Sequence, residues 1–205
     1  MLKPALSCST APPLFGGSIS VDGRSLRGHD LGDTVSYEYD PTPMPQFVRK
    51  ARPADLQEVK ALMEETWSLS NSELLPDFTV KQLIGENSIS MLIQNRWPDL
   101  WIAEDENTLL GVLGATQEGY IWACYVRLDR QRQGIGGALM SAAEGYFRDL
   151  GLSDLTLDIL EGNTAAEMFY RSRGWLENSR KAEHLPGHTA TSIHFSFSLI
   201  KPKDS

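Results

Sequence analysis

Long apolar runs and cysteine are both scarce in this sequence of 205 residues. No stretch approaches the roughly 20 consecutive apolar residues that a membrane-spanning helix needs, so the sequence predicts no membrane segment. The two cysteines, Cys8 and Cys124, are too few and too far apart for a disulfide framework or a zinc site. The sequence therefore predicts a cytoplasmic protein that binds no metal.

Positive charge is also in short supply. Lysine and arginine total 19 against 27 aspartates and glutamates, which leaves a net charge of −8 and a pI near 5.0. A protein that binds nucleic acid needs a basic patch for the phosphate backbone, so nucleic acid is not an expected partner. The acidic balance slightly favours a cationic small molecule or peptide as the ligand.

Hydrophobic periodicity is weak in residues 1–45, which are rich in Pro, Gly, Ser and Asp. We predict a flexible N-terminal extension over 1–45 and one folded domain over 46–205. Two alternatives stay open for the extension. In the first, Ser18–Val21 or Val35–Tyr39 adds a short edge strand. In the second, Met44 is the biological start of the chain.

From Phe47 onward, strand and helix patterns predict a mixed sheet of about seven strands with helices on both faces, an α/β (α+β) fold. The predicted strands are Phe47–Lys50, Trp101–Glu104, Leu109–Gln117, Tyr120–Arg127, Leu155–Leu160, Trp175–His184 and Thr191–Ile200. The predicted helices are one that begins near Pro53, then Thr79–Ile84, Ser88–Gln94, Gly134 to about Leu150, and Thr164–Arg173. The predicted buried stripe of the fourth helix is Ile135, Leu139, Ala142, Ala143, Tyr146 and Leu150.

A polar, glycine-rich loop at Gln131–Gly137 joins a predicted strand to this fourth helix. Its three glycines are Gly134, Gly136 and Gly137. Glycine leaves room for an anion to approach backbone N–H groups, and the first turn of a helix carries unpaired N–H donors and partial positive charge. Arg130 and Arg132 add positive charge nearby. The loop therefore predicts a pyrophosphate site.

Two common phosphate-binding motifs do not fit this loop. A Walker loop ends in Gly-Lys-Ser/Thr, whereas this loop continues as Gly136-Gly137-Ala138. A dinucleotide-binding fingerprint places G-x-G-x-x-G in a first βα turn, but here Leu139 stands where the third glycine is needed. The loop also follows an antiparallel hairpin in the middle of the chain.

Gln131-x-x-Gly134-x-Gly136 resembles motif A of the GNAT N-acetyltransferases, Q/R-x-x-G-x-G/A, which binds the pyrophosphate of CoA. A second segment resembles motif B of that family. Its matching residues are Asn163, Ala166, Tyr170 and Gly174-Trp175, with Trp in the place of the usual Phe. The resemblance covers about Phe47 to Ile200 and is specific from Leu109 to Trp175. It implies the GNAT fold and acetyl-CoA as a co-substrate.

The resemblance also implies a set of site residues. Those that it implies for cofactor binding are Tyr125, Val126, Gln131, Arg132, Gln133, Gly134, Ile135, Gly136, Gly137, Ala138, Asn163 and Tyr170. The tyrosine of motif B points its hydroxyl at the CoA sulfur in the family, so Tyr170 is the candidate catalytic residue. A phenol, with a pKa near 10, can protonate a departing thiolate, whose pKa is near 8.5. A packing role for Tyr170 stays open, as does a purely capping role for Asn163.

The family mechanism implied is direct attack of an amine on the acetyl group in a ternary complex. The pantetheine arm would lie beside the strand that ends at Val126, where a backbone N–H would stabilise the oxyanion. In the family a bulge in the preceding strand opens this slot, and Gly111 or Gly114 is a candidate for that bend.

The acceptor and its base are left open by the sequence. Aminoglycosides, polyamines, amino acids, lysine side chains and protein N-termini all fit an amine acceptor. No base is assigned, because each candidate is more typical of a solvated or structural residue. The candidates are Glu64, Glu65, Glu118, Asp158, Glu161, His184 and His188. A non-catalytic acyl-CoA-binding sensor is the alternative function, and the resemblance allows a homodimer through the two C-terminal strands.

Overall fold

The computed structural model describes residues 20–21, 24–30, 35–39, 47–84 and 88–200. The first three segments are strands β1 (Ser20–Val21), β2 (Arg24–Asp30) and β3 (Val35–Tyr39), which pair antiparallel in the order β1-β2-β3. Both segments of the edge-strand alternative contain a strand, Ser20–Val21 and Val35–Tyr39, but these strands pair with β2 and not with the edge of the larger sheet. Met44 lies outside the described residues, and the flexibility of the extension stays a prediction.

The remaining strands form a seven-stranded mixed sheet in the order β4-β5-β6-β7-β8-β10-β9. Their bounds are β4 Phe47–Lys50, β5 Leu100–Asp105, β6 Thr108–Ala115, β7 Tyr120–Val126, β8 Asp154–Leu160, β9 Leu176–Leu185 and β10 His188–Ser198. The β7–β8 pair is parallel and the other neighbours are antiparallel. The predicted mixed sheet of about seven strands is confirmed.

Helices cover both faces of this sheet, as predicted. They are α1 Leu56–Asn71, α2 Asp77–Ile84, α3 Ser88–Arg96, α4 Ile135–Asp149 and α5 Thr164–Ser172. One buried cluster, which we call the α1-side cluster, joins α1 to the sheet through residues such as Met63 and Val112. A second, the α4-side cluster, joins α4 and α5 to the other face through residues such as Leu139 and Ala166. Among the described residues, no helix has the length and apolar character that crossing a membrane requires.

The predicted buried stripe of α4 is wrong at its C-terminal end. Tyr146 is 43% exposed and Leu150 is 55% exposed, while Met140 and Phe147 are buried. Steps of four residues lead from Leu139 to Phe147, and this row of the helix is the one that packs against the sheet. Tyr146 lies at the border of that row, where its ring contacts Trp101 edge-on at 5.4 Å between centroids.

Candidate active site

The two parallel strands at the centre of the sheet separate soon after they begin. Within the described part of the chain, β7 and β8 pair in register at two positions, Tyr120 with Thr156 and Ile121 with Leu157. Both strands continue beyond these pairs, to Val126 and Leu160. We call the space between Trp122–Val126 and Asp158–Leu160 the β7–β8 fork. The fork opens toward the carboxyl ends of both strands, where ligands of parallel sheets commonly bind.

A β-bulge adjoins the closed end of the fork. The register of β6 against β7 shifts between Gly114 and Ala115, so that Trp122 is the extra residue on β7. A bulge bends its strand and increases the local twist, which turns β7 away from β8 at this point. The resemblance implied a bulge in the preceding strand, whereas this extra residue is on β7 itself. Gly114, one of the two glycines named for the bend, is the β6 residue at the shift. A Cβ atom on Gly114 would lie 2.3 Å from the Trp122 ring, so this packing also requires glycine.

The backbone of Val126 points into the fork. The N–H of Arg127 donates to the carbonyl of Leu110 on β6, at 2.9 Å. Because successive residues of a strand point their backbone groups to opposite sides, the N–H and C=O of Val126 point away from β6. The side chain of Gln131 reaches this carbonyl, and its Nε2 donates to it at 3.3 Å. The glycine-rich loop is thereby tied to the open end of the fork.

Two residues with positive φ bring the chain from this loop into α4. Arg132 has φ 63° and Gly134 has φ 81°, and the helix begins directly afterwards at Ile135. Gly134 has no side chain that could cap the helix, and no side-chain cap hydrogen bond is present there. The first-turn amides of α4 are therefore in the position that favours an anion.

The first turn of α4 lies between the end of β7 and α5. A Cβ atom on Gly136 would lie 3.4 Å from Cζ of Phe169 on α5 and 3.7 Å from Cγ2 of Val126, both ordinary contact distances. On Gly137 it would meet Nη1 of Arg173 at 3.4 Å. Packing within the chain therefore does not require glycine at either position. Glycine in a helix costs about 1 kcal/mol relative to alanine, so both glycines destabilise the first turn of α4.

The other residues predicted for cofactor binding are placed in different ways. Tyr125 is fully buried in the α1-side cluster and Ile135 in the α4-side cluster, so their side chains face the protein interior. Arg132 and Gly134 are exposed. Gln133 and Ala138 are half-buried, on the loop and on the first turn of α4. At Tyr125 and Ile135, only backbone groups are left for a ligand.

Motif B forms α5 and lies beside the first turn of α4. Asn163 caps α5, and its Oδ1 accepts a hydrogen bond from the N–H of Ala166 at 3.1 Å, which confirms the predicted cap. Tyr170 is 2% exposed, and its ring packs against Trp175 at 5.5 Å between centroids. Tyr170 belongs to the same buried cluster as Val126. The structure thus brings both motifs to one side of the β7–β8 fork.

Comparison with known proteins agrees with this arrangement. The model of the acetyltransferase (GNAT) family matches residues 59–175, more than half of the chain. The chain belongs to this family. It is 24% identical over 134 residues to the uncharacterised N-acetyltransferase YuaI of Bacillus subtilis (strain 168), a match that covers 61% of this chain and 77% of YuaI.

Solved GNAT structures share the fold. A GCN5-related N-acetyltransferase from Rhodopseudomonas palustris superposes with a TM-score of 0.64 at 18% identity, over 76% of this chain and 96% of the other. PaiA N-acetyltransferase from Thermoplasma acidophilum, solved in complex with coenzyme A, gives 0.56 at 18% identity, over 74% of this chain and 98% of that chain. The GNAT fold is confirmed, and membership of the family assigns the chain to acetyl transfer in general.

Most of the candidate bases are exposed or form an ion pair in this GNAT chain. Glu118 is exposed, and a hydrogen bond with the Thr116 side chain lowers the pKa of its carboxyl. Glu64 forms an ion pair with Lys60 at 2.7 Å, and Glu161 pairs with Arg180.

Glu65 and His184 are exposed, and Nδ1 of His184 contacts the Thr189 hydroxyl at 3.2 Å. His188 is half-buried at the start of β10.

Asp158 differs from the other candidates in contacting a histidine that the sequence analysis did not select. Its Oδ1 lies 3.0 Å from Nδ1 of His194 on β10. The two residues are 36 positions apart, and they meet because β8 and β10 pair with Asp158 opposite His194. Alternation within the predicted strand Thr191–Ile200 places His194 on the same face as Ser192, but its partner depends on the register between two strands.

Proposed function

We propose that this GNAT protein transfers an acetyl group from acetyl-CoA to an amine in a ternary complex. The observation that carries the proposal is the uncapped first turn of α4 at the open end of the β7–β8 fork. Its glycines at 136 and 137 are not required by packing within the chain. The family assignment supports acetyl transfer, and coenzyme A is present in one of the similar structures.

The cofactor's pyrophosphate binds at the backbone amides of Gly134–Ala138. Gln131, Arg132 and Gln133 belong to the same loop, and the exposed Arg132 guanidinium adds positive charge beside the phosphates. The pantetheine arm enters the β7–β8 fork and follows β7, where the backbone of Tyr125 and Val126 borders it. Asn163 lies at the start of α5, on the other side of the arm.

The chemistry takes place at the thioester within the fork. The amine nitrogen attacks the acetyl carbonyl carbon, and a backbone N–H of β7 that points into the fork stabilises the oxyanion. The C–S bond then breaks, and Tyr170 donates a proton to the departing sulfur. The burial of Tyr170 among aromatic rings supports this role, because exclusion of water strengthens a hydrogen bond to a thiolate.

A calorimetric titration with acetyl-CoA tests the cofactor site. Gly136→Val places a branched side chain on the first turn of α4, and we expect it to abolish binding because the backbone can no longer approach the phosphates. Gly145→Val is the matched control, since it lies on the same helix and no atom lies within 4 Å of its Cβ position. The control should bind like the wild type. Equal affinity of the Gly136 variant would contradict the loop assignment.

A panel of amines, with CoA release as the readout, tests transfer itself. Primary amines of several classes should include at least one substrate: aminoglycosides, polyamines, amino acids, lysine peptides and peptides with a free N-terminus. Binding of acetyl-CoA without turnover of any amine would contradict the proposed enzyme and favour a non-catalytic sensor.

A further inference from the structure

A cluster of polar side chains lies at the closed end of the β7–β8 fork, apart from both family motifs. We call Tyr120, Asp158, Lys181 and His194 the Asp158 cluster. The Tyr120 hydroxyl hydrogen bonds to Asp158, His194 Nδ1 lies 3.0 Å from Asp158 Oδ1, and Lys181 Nζ lies 3.7 Å from the same oxygen. The side chain of Asp158 is 9% exposed and that of His194 is 30% exposed. The carboxylate is thus enclosed by the cluster, while the imidazole still meets solvent.

The position of Asp158 relates this cluster to the thioester. Asp158 is the first residue of β8 beyond the last registered pair with β7, Ile121 with Leu157. Its neighbours Leu157 and Ile159 belong to the α4-side cluster, so alternation along β8 points Asp158 to the face that carries α1. His194, between Ile193 and Phe195 of that same α4-side cluster, points to the α1 face as well.

The proposed cofactor and the Asp158 cluster therefore lie on opposite sides of the sheet. The proposed pyrophosphate site is at the first turn of α4. The β7–β8 fork is the gap in the sheet between that face and the face that carries α1. On the α1 side of the sheet, the 30% exposure of the His194 side chain gives an acceptor access to the cluster.

We propose that His194 is the base that takes a proton from the acceptor amine and that Asp158 is its positioning residue. This inference rests on the proposed acetyl transfer. An ionised Asp158 can only accept hydrogen bonds, so Nδ1 of His194 must be the donor in their contact. The neutral ring then has its lone pair on Nε2, which is available to an ammonium group.

The proton balance of the step assigns each group a task. The acceptor ammonium gives one proton to Nε2 of His194, and the freed lone pair forms the C–N bond to the acetyl carbonyl carbon. The C–S bond breaks, and sulfur leaves with the electron pair and takes a proton from Tyr170. The nitrogen loses its second proton, which restores the Tyr170 hydroxyl. His194 then releases its proton to solvent, and an amide and a free thiol are the products.

Other charged groups surround the cluster and enter its pH dependence. Glu183 on β9 and Arg96 on α3 act on the pKa of Tyr120 in opposite directions, and Lys181 lies beside Asp158. Burial, followed by the charge of Asp158, raises the pKa of the Tyr120 hydroxyl. Tyr120 therefore stays protonated at neutral pH and donates to Asp158. Imidazole is the side chain most often used for general base catalysis, which leaves His194 as the group suited to the task.

The test compares His194→Gln with His184→Gln, a histidine on β9 whose described contact is the Thr189 hydroxyl. With a good amine acceptor, kcat/KM of the His194 variant should fall by about 10²- to 10⁴-fold. The pH dependence of kcat/KM for this variant should follow the deprotonation of the acceptor amine alone. Calorimetric affinity for acetyl-CoA should be unchanged, and His184→Gln should match the wild type. Asp158→Asn should reduce kcat/KM as well. The Asn side-chain amide can donate to Nδ1 of His194, which places the ring proton on Nε2.

Chemical rescue separates a missing base from a damaged fold. Adding imidazole to His194→Ala should restore part of the turnover, and the same addition should leave the wild type unchanged. Turnover of His194→Gln within twofold of the wild type would overturn the inference. So would a loss of turnover that imidazole does not restore, in a variant whose pH profile still matches that of the wild type. If the wild type neither binds acetyl-CoA nor acetylates any amine, the proposed function itself fails, and the role of His194 fails with it.

Discussion

At the residue scale, glycine has different causes at different points of the site. At Gly111, a Cβ atom would lie 2.9 Å from the carbonyl oxygen of Tyr125, and at Gly114 it would collide with Trp122. Packing within the sheet thus requires glycine at both. At Gly136 the nearest atom would be at an ordinary 3.4 Å. The same residue type therefore has a packing reason in β6, whereas in the first turn of α4 it fits the proposed approach of a ligand.

Tyr170→Phe tests whether the motif B tyrosine does more than pack. The variant keeps the ring that contacts Phe169, Trp175 and Phe195, so we expect little change in stability. Loss of the hydroxyl should reduce kcat by about 10²-fold and leave acetyl-CoA affinity nearly unchanged. Steady-state kinetics and calorimetry measure the two quantities. Tyr146→Phe, which removes a hydroxyl from an exposed ring of α4, serves as the control. If kcat of Tyr170→Phe equals that of the Tyr146→Phe control, Tyr170 only packs.

At the scale of elements, one arginine fastens the edge of the sheet to the turn before α1. Arg49 on β4 donates to Asp55 at 2.7 Å and to Glu104 on β5 at 2.8 Å. Asp55 also accepts the N–H of Arg52 at 2.6 Å, which caps the short turn Pro53–Asp55. The hydrogen bond from Arg49 lowers the pKa of Asp55 below its ordinary value of 3.8. This contact links three elements through a carboxylate that is mostly buried.

Asp55→Asn should therefore lower the free energy of unfolding, by about 1–3 kcal/mol at pH 7. A carboxyl whose folded pKa is lowered stabilises the protein above its unfolded pKa, and this contribution is lost as pH falls through the folded pKa. The difference between wild type and variant should thus shrink below pH 3.8. Urea unfolding at several pH values measures it.

Glu64→Gln is the control for this charge removal. It breaks a surface pair with Lys60 on α1 and should cost no more than about 0.5 kcal/mol. A difference for Asp55→Asn that stays constant between pH 7 and pH 3 would contradict the assigned role of the carboxylate.

At the scale of the whole molecule, two buried clusters lie on opposite faces of one sheet, and the β7–β8 fork separates the two halves of that sheet. The α1-side cluster holds Tyr125 and Trp122, and the α4-side cluster holds Val126 and Tyr170. Across the fork, α2 reaches the β9–β10 turn, where the Thr79 hydroxyl donates to the carbonyl of Pro186 at 2.9 Å. A cofactor in the fork would join parts of the chain that otherwise meet through few strand pairs.

Acetyl-CoA should therefore stabilise the folded protein in a concentration-dependent way. A ligand at 100 times its Kd adds about 2.7 kcal/mol, which for a chain of this length raises Tm by about 5–10 °C. Thermal melting at increasing acetyl-CoA measures the shift. Pantetheine lacks the pyrophosphate and should give a much smaller shift at the same concentration. A flat response to millimolar acetyl-CoA would contradict binding at the fork.

From Phe47 onward, the sequence alone determined the elements and both motifs, because their signals are local. The spacing of apolar residues, the glycines that follow α4 and α5 and the cap at Asn163 act within a few residues of the chain. The sequence also determined that Gln131–Gly137 opens a helix after a strand, which carries the resemblance to GNAT proteins. These features needed no knowledge of which strands become neighbours.

The tertiary structure alone decided which distant residues meet. The register of β8 against β10 brings Asp158 to His194, and a register different by one residue would point them to opposite faces. The packing of α4 against the sheet determined that Phe147 is buried and Tyr146 is exposed. The bulge at Trp122 decided where β7 leaves β8 and thus where the fork begins. Each of these outcomes depends on contacts between segments far apart in the chain, and local spacing does not determine such contacts.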